Sequence, residues 1–189
     1  MVARGCDAGP GGPRIRLRSF WMAGYEGADH VNGEGRTVAP NHANGHIAQC
    51  AEDYALLAPF GIRTIRESVG WRTVANEGTG ALLTRARAAH GAGLQVIWSV
   101  MHYGWPDGVD LFSERFAAEF ARFCGRVARL LAPYHDDPPV YSPVNEISFL
   151  AWAIAATRLI HPFDGSLAAQ GFDIKRRLVR AAIAGADAI

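Results

Sequence analysis

LQVIWSV, residues 94–100, is apolar at five of seven positions and rich in β-branched and aromatic side chains. A run this short and this apolar reads as a parallel strand covered on both sides, because a one-sided strand would alternate. The loop MHYGWPDGVDLF follows, and then a helical pattern near 113–132. Phe116, Phe120, Phe123, Val127 and Leu130 mark the buried face of that helix. Ser113 is placed to cap its start, and Pro133 follows its end.

The same strand-then-helix unit recurs on either side. Upstream, IRTIRESV (62–69) precedes a helix near 81–90. Further upstream, RSFWMAGY (18–25) precedes a polar Gly/Asn/His loop and a helix near 46–58, where Ile47, Cys50, Tyr54 and Leu57 form one stripe. Downstream, PPVYSPV (138–144) is a weaker strand with Pro143 awkwardly inside it. A long loop and a helix near 173–187 complete the pattern. Four such units predict an α/β fold with a parallel sheet, either doubly wound or a barrel. A dinucleotide fold is excluded at the first junction, which lacks GxGxxG, and no GxxxxGK[ST] phosphate loop occurs.

Composition narrows the function classes. The 189 residues carry a net charge of +1 and 49% hydrophobic residues, which fits one globular domain. Nucleic-acid binding needs clustered basic charge, and Lys175-Arg176-Arg177 is the densest run. No apolar stretch approaches the ~18 residues of a membrane span. Cys6, Cys50 and Cys124 stand far apart without a CxxC pair, which indicates no disulfide framework and fits a reducing cytoplasm. Residues 1–16, rich in Gly, Pro and Arg, are expected to be disordered, with 17–189 forming the domain. His30, His42 and His46 share a polar region but lack HExxH spacing, so no metal or other cofactor is expected.

Polar residues collect after the strands, at the end where a β/α barrel keeps its active site. Tyr25, Glu26, Asp29 and His30 follow the first strand. Arg66, Glu67 and Trp71 follow the second. His102, Tyr103, Trp105 and Asp107 follow the third, and Asn145 and Glu146 the fourth. Carboxylates, amide, imidazole, guanidinium and indole on one rim suit a sugar, whose hydroxyls take polar partners and whose ring stacks on aromatic faces. The bland alternative for Glu146 is a cap on the following turn.

Four segments in order resemble the family 1 glycoside hydrolases, the β-glucosidase-like members of a retaining clan built on (β/α)8 TIM barrels. SFWMAGYEG is similar to the family's opening strand. GIRTIRESVGWRTV is similar to G-(V/I)-x-x-Y-R-F-S-I-x-W-x-R-I, VIWSVMHYGWPDGV to L-x-H-x-D-x-P, and PVNEI to T-x-N-E-P. The resemblance implies a barrel of which only about four β/α units are present, the N-terminal half. It implies hydrolysis of O-glycosidic bonds in a β-glycoside, with Glu146 as general acid/base. It makes Asn145 the ligand of the sugar 2-hydroxyl, His102 a ring-hydroxyl ligand, and Arg66 the holder of the nucleophile. Glu26 stands near the family's sugar-binding glutamine, and Trp105 lines the sugar or the aglycone. The family's nucleophile is a second glutamate, and no E-N-G-like segment follows Glu146.

A half-barrel would expose two sheet edges and the strands carrying Trp21, Ile65, Val96, Ile97 and Val100. A second copy, or a missing C-terminal half, would cover them. The rival class is a non-catalytic carbohydrate-binding or interaction half-barrel.

Overall fold

The computed structural model describes residues 16–25 and 27–189. From the N-terminus the elements are β1 (Met22–Gly24), β2 (His30–Val31), β3 (Thr37–Val38), α1 (Pro40–Ala43) and α2 (His46–Ala55). Then come β4 (Thr64–Ser68), α3 (Trp71–Glu77), α4 (Gly80–Gly91), β5 (Gln95–Met101) and α5 (Phe116–Leu131). The last are β6 (Val140–Val144), α6 (Ile147–Ala156) and α7 (Gly171–Ala188).

The main sheet runs β1-β4-β5-β6, every pair parallel. Sequential strands lie side by side, so each connection is a crossover through helices, as parallel pairing demands. The register sets Arg66 opposite Gly24 and Ile97, and Ser99 opposite Ser68 and Ser142. The short β2 and β3 form a separate antiparallel hairpin.

Strand alternation sorts the side chains into two faces. Ile65, Val96, Trp98 and Val100 are buried in the core shared with the helices, with Phe116, Phe120, Leu131, Leu178 and Ala181. Thr64, Arg66, Ser68, Gln95, Ser99 and Ser142 therefore occupy the other face, together with the apolar Met22, Ile97, Met101, Val140 and Val144. The expectation of an exposed apolar sheet is corrected for three of the five residues it named. Ile65, Val96 and Val100 point into the helix layer, Ile97 is half-buried, and Trp21 is exposed just ahead of β1. At the base of the sheet, Arg18 donates to Asp137 at 2.6 Å, and Gln95 Nε2 donates to the Arg16 carbonyl at 3.1 Å.

Several boundaries differ from the sequence expectation. The region 145–172 contains α6, ten residues long, where a loop was expected. The segment 71–77 is a helix, and Trp71 is a core residue against Phe116, Phe120 and Phe123 rather than a rim residue. Arg115, not Ser113, is the N-cap of α5, and Leu131 rather than Leu130 is fully buried. Pro143 is accommodated because β6 is an edge strand, with one neighbour to satisfy. Gly104 explains how the loop leaving β5 is held close to the β2 hairpin. A Cβ there would lie 1.8 Å from the Asp29 carbonyl oxygen, so only glycine lets the backbones approach.

Candidate active site

The carboxyl ends of β4, β5 and β6 converge on one polar chain. Arg66 extends from the open face of β4, its Nε donating to Ser99 Oγ at 2.8 Å and its Nη2 to Asn145 Oδ1. The Asn145 backbone N–H donates to the Met101 carbonyl at 3.0 Å, continuing the ladder one step past β6. With Oδ1 taken by a guanidinium, the Asn145 amide must present Nδ2 to His102. That contact is 2.8 Å to Nε2, so Nε2 accepts and the ring proton sits on Nδ1, 3.5 Å from Ser68 Oγ. Asn145 and His102 are buried, whereas Arg66 is exposed.

Glu146 stands beside this chain with its carboxylate exposed. Its backbone is left-handed, φ 44° and ψ 55°, at the N-cap of α6, and its side chain makes no capping bond. The backbone carbonyl, not the carboxylate, receives the Leu150 N–H. The capping explanation for Glu146 therefore fails, and the carboxylate is available for something else. Its partner is Tyr103, whose hydroxyl donates to Oε2. Tyr103 Oη also lies 3.5 Å from Asn145 Nδ2.

The structure thus gathers four of the sequence-predicted residues, Arg66, His102, Asn145 and Glu146. Trp105 lies off this chain, half-buried and packed edge-on against Phe116 at 5.7 Å. It lines a neighbouring cleft of ≈ 360 Å³ with Arg72, Tyr103 and His161. Glu26 lies outside the described residues. Tyr103, Ser99 and Ser68 join the site without any motif to announce them. Of these, Tyr103 alone stood in the rim inventory, and Ser99 was detectable only from its pairing with Ser68.

Glu67, placed on the rim by its position after Arg66, faces the helices instead. It is fully buried and accepts from Tyr54 Oη at 2.7 Å, Arg85 Nη1 at 2.5 Å and His46 Nε2 at 2.6 Å. His46 also reaches Asp53 at 2.5 Å and stacks on Tyr25 at 3.9 Å between ring centres. Of the other two histidines, His30 contacts the Ala28 carbonyl and His42 faces Glu77, so the three do not converge. Burial alone would raise the Glu67 carboxyl, but the bonds from His46, Arg85 and Tyr54 outweigh it and hold it below the ordinary 4.5. Burial alone would lower His46, but Glu67 and Asp53 outweigh it and raise it above 6.5. Burial pushes Tyr25 up to about 12, helped by Asp53 and Glu67.

These shifts fix a pH dependence. A raised histidine stabilises the fold below 6.5, and that contribution disappears as pH climbs through its folded value. A depressed carboxyl stabilises above 4.5, and that contribution disappears as pH falls through its folded value. The urea midpoint is therefore expected to fall on the alkaline side, and His46→Asn to remove that slope. A midpoint that declines equally in both proteins would assign the dependence elsewhere.

No protein-family model matches the sequence, and no curated protein is similar to it. Solved structures are. The chain is similar to the AHE enzyme from Alicyclobacillus herbarius at 18% identity and a TM-score of 0.69, over 86% of this chain and 37% of that one. It is similar to the β-glucosidase from Thermotoga maritima in complex with glucoimidazole, at 14% identity and 0.66 over 76% of this chain. It is also similar to the virulence factor SghA from Agrobacterium tumefaciens, at 17% and 0.65. These likenesses show a shared α/β fold with a parallel sheet of TIM-barrel type. The chain spans about a third of the length of these structures. Among the described residues, no helix is long and apolar enough to cross a membrane.

Proposed function

We propose that this chain is the acid/base-bearing part of a retaining β-glycosidase of family 1 type. The observation that carries the reading is the connected row Arg66, Asn145, His102, Tyr103 and Glu146 at the carboxyl ends of adjacent parallel strands. Asn145 holds the sugar 2-hydroxyl, a contact that strengthens toward the oxocarbenium-like transition state. His102 binds a ring hydroxyl. Glu146 donates its proton to the glycosidic oxygen and then, as the carboxylate, takes one from the incoming water. No metal or cofactor takes part.

Retaining hydrolysis also needs a nucleophilic carboxylate about 5–5.5 Å from the acid/base. None of the 189 residues matches that role by motif. A companion half supplies it in this reading; a second copy closing the sheet into a barrel of eight strands would have to use a carboxylate of the same 189 residues that no motif marks. Phe20, Trp21 and Met22, 88%, 72% and 50% exposed at the β1 edge, are the apolar surface such a partner would cover. Sedimentation of the purified chain is expected to show self-association. A stable monomer at tens of micromolar would remove the second-copy form of the proposal.

The function itself is tested by hydrolysis of aryl β-glycosides, with Glu146→Gln alongside. Turnover lost in the variant supports the reading. Absence of turnover in the unaltered protein, with simple β-glycosides still bound in a calorimetric titration, would favour the carbohydrate-binding reading. That second reading draws on the Asn145–His102 pair, which needs no acid.

A further inference from the structure

Among the described residues, two that are not glycine take a positive φ, Tyr103 at 75° and Glu146 at 44°. They lie in the exits of adjacent strands, β5 and β6, and they hydrogen-bond to each other. A left-handed backbone is unfavourable for both residue types, and such conformations persist where the surroundings over-determine them. Two independent strained turns that meet in one side-chain contact are unlike two accidents. Each turn swings its side chain off the strand end, and the contact exists because both do so.

The geometry points to Tyr103 as a positioning residue for Glu146. This inference rests on the reading of Glu146 as the acid/base. An exposed glutamate on a helix N-cap samples several rotamers. The Tyr103 hydroxyl selects the one in which Oε2 accepts its hydrogen bond, leaving Oε1 for the glycosidic oxygen. Tyr103 is itself braced. Its ring lies edge-on to His102 at 4.5 Å, and it packs against Phe149 at 5.2 Å. The ring also forms part of the wall of the cleft that Trp105 lines.

The test uses fluorine resonances of the protein labelled with 3-fluorotyrosine, which carries five tyrosines. The resonance missing in Tyr103→Phe belongs to Tyr103, and the other four report that the variant is folded. Glu146→Gln is expected to move the Tyr103 resonance, while Glu114→Gln leaves it in place. An unmoved resonance in Glu146→Gln overturns the inference. Where hydrolysis is measurable, Tyr103→Phe is expected to lower kcat about ten-fold at unchanged KM, as misplacement of a catalytic group does. It should cost nothing further in the Glu146→Gln background. An equal loss in that background would mean that Tyr103 acts independently of Glu146, and would also overturn the inference. A chain that neither hydrolyses nor binds β-glycosides would refute the functional reading, and the fluorine coupling would still decide whether Tyr103 holds Glu146.

Discussion

Arg85→Met is expected to lower the unfolding free energy by about 3–5 kcal/mol, the usual cost of removing one partner from a buried ion pair. Arg85 is 4% exposed, and its guanidinium donates to Glu67 at 2.5 Å and to the Ser68 carbonyl at 2.7 Å. With His46 protonated, Asp53, His46, Glu67 and Arg85 make a quartet of zero formal charge behind β4. Methionine fills much of the arginine volume, so the loss reports charge rather than a cavity. It leaves Glu67 with His46 and Tyr54 only, and the Ser68 carbonyl without its bond. The remaining bond from His46 places the expected loss toward the lower end of the range. Chemical denaturation of the single variants and of Glu67→Gln/Arg85→Met measures the coupling. The double variant should lose less than the sum of the singles, by an amount within about 0.5–3 kcal/mol. A loss below about 1 kcal/mol for Arg85→Met would mean that water reaches the pair and screens it.

The quartet also shows what the sequence could and could not reveal. Its members come from α2, β4 and α4, so no local spacing announces it. One clue was present. If Arg66 and Ser68 serve the open face, strand alternation sends Glu67 to the helices. Position after a strand suggested a rim residue, and alternation overrules it. The polar positions Gln95 and Ser99 inside LQVIWSV carried the same information, two residues apart from Ile97 on the face that β4 furnishes with Thr64, Arg66 and Ser68.

The α6 segment was illegible for a different reason. ISFLAWAIAA is apolar on every side, so it has no 3.6-residue contrast by which to recognise a helix. Burial explains part of the pattern, because Leu150, Ala151, Ala153, Ile154 and Ala155 are enclosed, whereas Phe149 and Trp152 are apolar yet exposed. The strand–helix alternation and the Asn145-Glu146 junction were readable because each depends on short-range pattern. The contact of Tyr103 with Glu146 was not, because it depends on two left-handed turns and joins residues 43 apart.

On the proposed reading, and with the nucleophile-bearing half present, Glu146→Gln is expected to reduce hydrolysis of unactivated β-glycosides by about 10²–10⁴-fold, the range that a positioned general acid contributes. The amide has the shape of the acid but cannot donate its proton to the leaving oxygen. The size of the loss should therefore depend on the leaving group. A dinitrophenolate departs without help, so bond cleavage from its glycoside should be nearly unaffected. An alkoxide cannot depart unaided, so alkyl glycosides should show the full loss. The second half of the reaction has the opposite sensitivity. On the proposed reading, water attack on the glycosyl intermediate needs Glu146 as base whatever the first leaving group was. Activated substrates should then give a burst of phenolate followed by slow turnover, and an anionic nucleophile such as azide should restore turnover by attacking without a base. A uniform loss across all leaving groups, without a burst, would assign Glu146 to substrate binding rather than to proton transfer.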